Sequence, residues 1–328
     1  MVALLAAGCA SSGSGQGAAT TTPSTGSGTV GVIVEPDQGI GPIDALLRSP
    51  QHSLDMVMYE LVDTTVEQIL AADAARGVTV RVVLDDRLER RANTPAYQYL
   101  NANGVHAVWA PTAYAATHEK AVVIDAGTPA ARAVVMTLNL TSRYYSDTRD
   151  FAVVDTAPAD VNAIDAAFVA NFEGQAPDSA PPGADLVWSP GSSAALVELI
   201  GSATSTLSVE NEEMSASPVI AALEGAARRG VQVHVTMTRD SEWASHFDAL
   251  NAAGVAVRTY ADSDSVLYIH AKAIVVDGHQ AFVGSENFSD ASLDENRELG
   301  LITSAPAVVS AVASTEATDW AGATPWTG

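Results

Sequence analysis

The chain has 328 residues and a formal net charge of −23. This length is sufficient for two domains or one large domain with a buried core. The strong negative charge argues against non-specific binding to DNA, RNA or strongly anionic membranes, and no nucleic-acid partner is expected. No stretch is apolar over enough residues to predict a transmembrane helix.

Residues 1–29 predict an exported protein. Val2–Ala7 is apolar, Gly8 and Cys9 follow, and Ser11–Gly28 is composed almost entirely of Ser, Gly, Thr and Ala. This pattern is similar to the end of a bacterial lipoprotein signal with a lipid-modified cysteine, followed by a flexible tether. It predicts a protein anchored through Cys9 on the outer face of the cell membrane, or a secreted one. The alternative is a disordered tail with an incidental cysteine.

The segment from 30 to 175 alternates between strands and helices. Two of its helices are predicted to stop at glycines, Gly77 and Gly104. The predicted elements are strand 31–34, helix 43–48, strand 54–59, helix 65–76, strand 78–84, helix 94–103, strand 105–110, strand 118–125, strand 133–137, strand 151–154 and helix 159–172.

A segment rich in Pro and Ala, 176–184, is the predicted linker to a second half, 185–328. That half is predicted to contain helix 194–200, strand 206–210, helix 219–229, strand 231–236, helix 243–253, strand 255–260, a motif strand at about 270–277, strand 299–303 and helix 307–320. Strands and helices alternate in the same order in both halves. The pattern predicts an α/β protein with two tandem halves, each a mixed sheet flanked by helices.

The same motif, His-x-Lys-x4-Asp, occurs in both halves. The copies are 152 positions apart and consist of His118, Lys120 and Asp125, and of His270, Lys272 and Asp277. On a strand, positions i and i+2 share a face, so the His and Lys of each copy are predicted to project to the same side. An imidazole beside an ammonium suits phosphate chemistry, because the Lys neutralises the phosphoryl oxygens and the His attacks phosphorus or transfers a proton.

Other residues repeat with the motif. Asn139 precedes Asp150 by 11 positions, and Asn287 precedes Glu298 by 11 positions. The chain has no lysine besides the two motif lysines, whereas all its other basic residues are arginines. A compact point charge therefore stands at two equivalent places where arginine is not an equal substitute. Two copies of one unit make up the chain.

This set of residues resembles the phospholipase D superfamily, whose signature is a paired His-x-Lys-x4-Asp followed by Gly-Ser-x-Asn. The second copy matches fully, with Gly284, Ser285 and Asn287. The first copy has Met136-Thr137-Leu138-Asn139, which retains the hydroxyl and the amide but lacks the glycine. The resemblance implies that the two halves pack with pseudo-twofold symmetry around one active site, so that a monomer is sufficient.

The resemblance also implies residue roles. His118 is expected to be the nucleophile that forms a phosphohistidine, and His270 the general acid and base, with the reverse assignment left open. Lys120, Lys272, Asn139 and Asn287 are expected to bind the non-bridging oxygens, Asp150 and Glu298 to orient the imidazoles, and Thr137 and Ser285 to be secondary phosphate ligands. Asp125 and Asp277 are expected to hold turns. No metal or other cofactor is expected, because the lysines supply the positive charge.

The acidic stretch that contains Glu210, Glu212 and Glu213 follows a predicted strand. These acids are interpreted either as a site for a cationic head group or as a solvated strand end that pairs with arginines. The expected function is a phosphodiesterase of the phospholipase D type that cleaves or transphosphatidylates phospholipids. The alternatives are a nuclease or other phosphodiesterase on the same fold, and a non-catalytic surface lipoprotein.

Overall fold

The computed structural model describes residues 28–176 and 182–328. Cys9, nearly all of the predicted tether, and residues 177–181 of the predicted linker lie outside these ranges. Among the described residues, no helix is both long and apolar enough to cross a membrane.

The first half forms one large mixed sheet with helices. Its elements are β1 (Thr29–Glu35), α1 (Gly41–Leu47), β2 (Ser53–Met58), β3 (Leu61–Val62), α2 (Thr64–Ala75), β4 (Thr79–Leu84), α3 (Arg90–Ala102), β5 (His106–Trp109), β6 (Ala121–Ile124), β7 (Arg132–Met136), β8 (Leu140–Thr141), β9 (Thr148–Asp155) and α4 (Pro158–Phe172). A single 3₁₀ turn, Ser142–Tyr144, separates β8 from β9. The strand order is β1-β9-β7-β6-β2-β4-β5.

The second half repeats this arrangement. Its elements are β10 (Leu186–Ser189), α5 (Ser193–Ser202), β11 (Thr206–Glu210), α6 (Ser217–Arg228), β12 (Gln232–Thr238), α7 (Ala244–Ala252), β13 (Ala256–Tyr260), β14 (Tyr268–Ile269), β15 (Ala273–Val276), β16 (Gln280–Gly284), α8 (Asp290–Asp294), β17 (Glu298–Thr303), α9 (Pro306–Gly322) and β18 (Thr324–Pro325). The sheet order is β10-β17-β16-β15-β11-β12-β13-β18, which matches the first sheet strand for strand up to β13. The predicted α/β fold with two tandem mixed sheets is confirmed.

Each sheet buries both faces. Its outer face packs against three helices of its own half, α1–α3 in the first half, where the core includes residues such as Met56, Val82 and Leu70. Its inner face packs toward the other half: Phe151 of β9 lies in one cluster with residues of β15, β16 and α9. Because both faces are covered, the central strands are almost continuously apolar, as their sequences indicate.

The motif strands are shorter than predicted. β6 begins at Ala121 and β15 at Ala273, so both motif histidines lie before these strands. The prediction that His270 and Lys272 share a face because they lie on one strand was therefore wrong, since neither residue lies in a strand. The residues before each strand pair instead with the opposite half, an interaction between segments far apart in the chain that local periodicity cannot reveal.

Candidate active site

Each motif histidine follows a segment that pairs with the other half. β14 runs parallel to β9, with Ile269 opposite Arg149. At the equivalent place in the first half, Thr117 forms a parallel bridge with Arg297, just before β17. In each pair, the residue after one partner is a motif histidine and the residue after the other is the predicted orienting acid. The exchange of segments therefore places each histidine beside the acid of the opposite half.

The histidine–acid contacts cross between the halves. His118 Nδ1 lies 2.7 Å from Glu298 Oε2, and His270 Nδ1 lies 2.8 Å from Asp150 Oδ1. A carboxylate on Nδ1 holds the imidazole in the tautomer that has its lone pair on Nε2. Burial lowers the pKa of His118, and the charge of Lys120 acts in the same direction, against the opposing effect of Glu298. The structure thus brings both predicted acids to the imidazoles, in a pairing that residue spacing alone left open.

Thr137 and Ser285 support the acids. Thr137 Oγ1 donates to Asp150 Oδ1 at 2.5 Å and accepts from the backbone N–H of Phe151. Ser285 Oγ accepts from the backbone N–H of Leu299 and contributes a hydrogen bond to Glu298 that lowers the pKa of this carboxyl. Both hydroxyl residues are fully buried and neither lines the cavity. The prediction that they are secondary phosphate ligands was wrong, because their hydroxyls hold the carboxylates that orient the histidines.

The two motif lysines are fully buried and each donates to the carbonyl of its own histidine. They differ in their second partner. Lys120 Nζ lies 4.9 Å from the centre of the Tyr59 ring, a cation–π contact. Lys272 Nζ lies 3.0 Å from Glu212 Oε2. Burial lowers the pKa of Lys120 to about 7, so an anion that binds near it would restore its charge.

The motif asparagines line the same cavity. Asn287 Nδ2 donates to Glu213 Oε1 at 3.0 Å and lies 3.3 Å from Glu212 Oε2. Within the described ranges, the buried Oδ1 atoms of Asn139 and Asn287 have no hydrogen-bond partner. Polar atoms left unpaired in a cavity are available to a ligand, since an unpaired buried polar group is unfavourable.

The motif aspartates accept hydrogen bonds from backbone N–H groups at turns. Asp125 accepts from the backbone N–H groups of Gln51, His52 and Ser53, and Asp277 accepts from those of residues 204–206. Both aspartates have a positive φ, 53° and 51°, at the turn after the motif strand. Their contacts fix the start of β2 and β11 against the motif strands.

The three acids at the end of β11 separate into two environments. Glu212 and Glu213 line the cavity. Glu210 is fully buried on the other side, where burial and the charges of Glu316 and Asp319 raise its pKa well above the usual range. The prediction that Glu210 contacts a head group was wrong, because Glu210 is the last residue of β11 and is buried near Glu316 and Asp319, whereas Glu212 and Glu213 follow the end of the strand and line the cavity.

The cavity has a volume of about 920 Å³ and lies between the halves. Its lining includes both motif histidines and is rich in carboxylates. The acids are Glu35, Glu60, Glu89, Asp147, Asp150, Glu212, Glu213, Asp262 and Asp264, and the aromatic residues are Tyr59, Tyr144, Tyr145 and Tyr268. Among the described residues, no group of three or more His, Cys, Asp or Glu side chains could hold a metal ion.

A family model described as cardiolipin synthase, PLD-like domain, matches residues 43–172 and 196–320, more than half of the chain. The chain belongs to this phospholipase D-like family. A comparison with curated proteins gives no match.

Two solved structures show the same fold. Polyphosphate kinase from Porphyromonas gingivalis is similar over 88% of this chain, with a TM-score of 0.69 and 15% identity, although the chain spans only 46% of the kinase. Phosphatidylserine synthase from Haemophilus influenzae Rd KW20 is similar over 91% of this chain and 89% of the synthase, with a TM-score of 0.68 and 11% identity. Nuc from Salmonella typhimurium, a phospholipase D family member, matches 44% of this chain and 97% of its own, with a TM-score of 0.40 and 20% identity.

The departure of the first copy from the phospholipase D-like signature has a packing explanation. Gly284 lies opposite Gly300, and a Cβ on Gly284 would come within 2.8 Å of the Phe282 ring and closer still to Glu286. In the first half, Met136 has the position of Gly284 and lies in the apolar core. The smaller Val134 at the position equivalent to Phe282 leaves room for Met136, although Ala152 takes the place of Gly300. The strand register is unchanged, so the hydroxyl and the amide remain in place.

Sequence reasoning missed two side chains of this phospholipase D-like site. The ring of Tyr59 lies edge-on to His118, with 4.5 Å between centroids. Tyr268 OH donates to Glu212 Oε1 at 3.1 Å. Aligning the repeats by strand register could have identified the first: Val57 opposes Ala121 and Glu210 opposes Ala273, so Tyr59 and Glu212 are equivalent.

Proposed function

We propose that this protein is a phosphodiesterase of the phospholipase D type, which cleaves phospholipids or transfers their phosphatidyl group to an alcohol. The observation that carries the proposal is the convergence of both motif histidines and both motif asparagines on one cavity, with each imidazole held by a carboxylate of the opposite half and a buried lysine behind it. Paired imidazoles with buried cations suit displacement at a phosphodiester. The family match and the fold shared with a phosphatidylserine synthase support the same class of reaction.

In the proposed mechanism, His118 Nε2 attacks phosphorus, the bond to the leaving alcohol breaks, and His270 donates its proton to the alcohol oxygen. Water or another alcohol then loses a proton to His270 and attacks phosphorus, and the bond from phosphorus to His118 breaks. Burial, which lowers the pKa of His118, favours a neutral nucleophile. A protonated His270 would face a carboxylate on each nitrogen, Asp150 at 2.8 Å and Glu212 at 3.5 Å, which suits the general acid.

The cavity lining supports a phospholipid with a cationic head group. The alcohol that leaves is the one protonated by His270, so the head group would lie beside Glu212, Glu213 and the Tyr268 ring. Carboxylates and an aromatic face both attract an alkylammonium. Leu138 and Tyr145, on the first-half side, offer apolar contact for the diacylglycerol part. The many carboxylates of the lining disfavour the polyanionic backbone of a nucleic acid, which counts against the nuclease alternative.

The test is incubation of the protein with phosphatidylcholine vesicles, ethanol and EDTA. We expect phosphatidic acid and phosphatidylethanol, since water and ethanol compete for one phosphohistidine. His118→Ala and His270→Ala should each lower the rate of product formation by at least about 100-fold, as expected for loss of a nucleophile or a general acid.

Other outcomes would change the proposal. Activity only on oligonucleotides would keep the chemistry and reject the lipid substrate. Products that persist in both histidine variants would reject the phosphohistidine route. No turnover of any phosphodiester would favour the non-catalytic surface protein.

A further inference from the structure

The two halves of the site differ most at one position. Tyr59 and Glu212 occupy equivalent places at the ends of β2 and β11, above the two motif lysines. Lys120 faces an uncharged aromatic ring, whereas Lys272 is paired with a carboxylate. A site that is otherwise duplicated thus has its positive charge neutralised on one side only.

Glu212 takes up the donors that a phosphate oxygen would need. Its Oε2 lies 3.0 Å from Lys272 Nζ and 3.3 Å from Asn287 Nδ2, and 3.5 Å from His270 Nε2. Its Oε1 accepts from Tyr268 OH at 3.1 Å. The carboxylate therefore lies where a non-bridging oxygen would bind, held by the same groups.

Glu212 carries a negative charge. Burial alone would raise its pKa, but Lys272 and His270 lower it well below the usual range, so the side chain is ionised in the ordinary pH range. Glu213 and the exposed Asp262 and Asp264 add negative charge to the same wall. A phosphate that enters the site must compete with this carboxylate for Lys272.

We propose that Glu212 is a charge filter that admits phosphates with one negative charge and rejects those with two. The proposal rests on the proposed function and names the substrate property that this site selects. Coulomb repulsion between Glu212 and the ligand scales with the ligand charge. Repulsion from Glu212 therefore lowers the favourable binding free energy of a dianion by about twice as much as that of a monoanion. A phosphodiester is a monoanion, whereas a phosphomonoester carries about −1.5 to −2 near neutral pH.

The filter has a consequence for turnover. Hydrolysis of a phospholipid diester yields phosphatidic acid, a phosphomonoester with a second ionisation. Repulsion from Glu212 therefore acts on the product more strongly than on the substrate. The same carboxylate that restricts entry would speed release of the hydrolysis product and disfavour its re-entry.

The test compares two ligands that differ by one methyl group and one charge. Binding of methyl phosphate and of dimethyl phosphate is measured by calorimetry at about pH 7 with the wild-type protein and with Glu212→Gln. Gln keeps the size and an acceptor for Lys272. We expect the substitution to raise the affinity for methyl phosphate at least about tenfold more than that for dimethyl phosphate, equivalent to ~1.4 kcal/mol.

The matched control is Asp264→Asn, which removes one charge from the exposed wall of the same cavity without touching Lys272. It should change the ratio of the two affinities by less than about twofold, because exposed charges are screened. Three results would overturn the proposed filter. They are an equal gain in affinity for both ligands in Glu212→Gln, no gain in affinity for methyl phosphate, or the same change in Asp264→Asn. Affinity is measured rather than product formation, so this result is independent of whether the protein cleaves phospholipids.

Discussion

At the scale of single residues, the roles of the two histidines can be separated by the leaving group. p-Nitrophenolate leaves without a proton, so cleavage of phosphatidyl-p-nitrophenol needs the nucleophile but not the general acid. His270→Ala should release p-nitrophenol in a burst of about one equivalent per protein and then stall, since the phosphohistidine lacks its general base. His118→Ala should show no burst. Stopped-flow absorbance measures both, and mass spectrometry of the quenched protein locates the adduct.

The opposite pattern, a burst in His118→Ala and none in His270→Ala, would exchange the two roles. The structure gives a reason to expect the first pattern. Burial and the charge of Lys120 lower the pKa of His118, whereas His270 lies between Asp150 and Glu212.

The site residues could be predicted from the sequence where the same residue types recur in both halves. The contacts that these residues make with distant parts of the chain could not be predicted. The histidines, lysines, asparagines and their acids recur at equal spacing, so the repeat alone identifies them. Spacing could not show that Glu298 serves His118, because this contact joins residues 180 positions apart. The hydroxyls of Thr137 and Ser285 were misassigned for the same reason, since their distance from the cavity depends on how β7 and β16 pack.

At the scale of elements, strands β16 and β17 approach each other closely around Gly300. The nearest neighbours of a Cβ on Gly300 would be side chains, the Phe282 ring at 2.2 Å and Glu286 Oε2 at 2.8 Å. Gly300→Ala should therefore destabilise the protein by ~1–3 kcal/mol through overpacking. The first half shows a working alternative, with Val134 and Ala152 at the equivalent positions. Phe282→Val combined with Gly300→Ala should thus recover part of the loss.

Chemical denaturation of the two single variants and the double variant measures the coupling. A favourable coupling of ~0.5–3 kcal/mol is expected for residues in direct contact. Strictly additive losses would show that Gly300 is required for another reason.

The main helices and strands could be predicted from apolar runs and glycine stops. Short pairings such as β14 with β9 could not be predicted, because each depends on the other half being folded.

At the scale of the whole molecule, the site is shared between two halves of one chain. His118 and Glu298, and likewise Asp150 and His270, come from opposite halves yet lie within hydrogen-bonding distance in a single chain. Buried Arg149 of β9 also bonds Asp319 of α9, which ties the halves together beneath the cavity. The separated halves would each expose the apolar inner face of a sheet, so they are expected to fold only together.

A site formed within one chain predicts that two inactive variants cannot rescue each other. His118→Ala and His270→Ala proteins, mixed after joint unfolding and refolding, should remain inactive, because every chain lacks one of the two imidazoles its own cavity needs. If the halves exchanged between chains, random pairing would create some cavities with both histidines, and activity of up to about a quarter of the wild-type level would return. The measurement is phosphatidic acid formation by the refolded mixture, beside wild-type protein refolded in the same way. Recovery of activity in the refolded wild-type control, together with no activity in the mixture, would establish that one chain supplies both halves of each site.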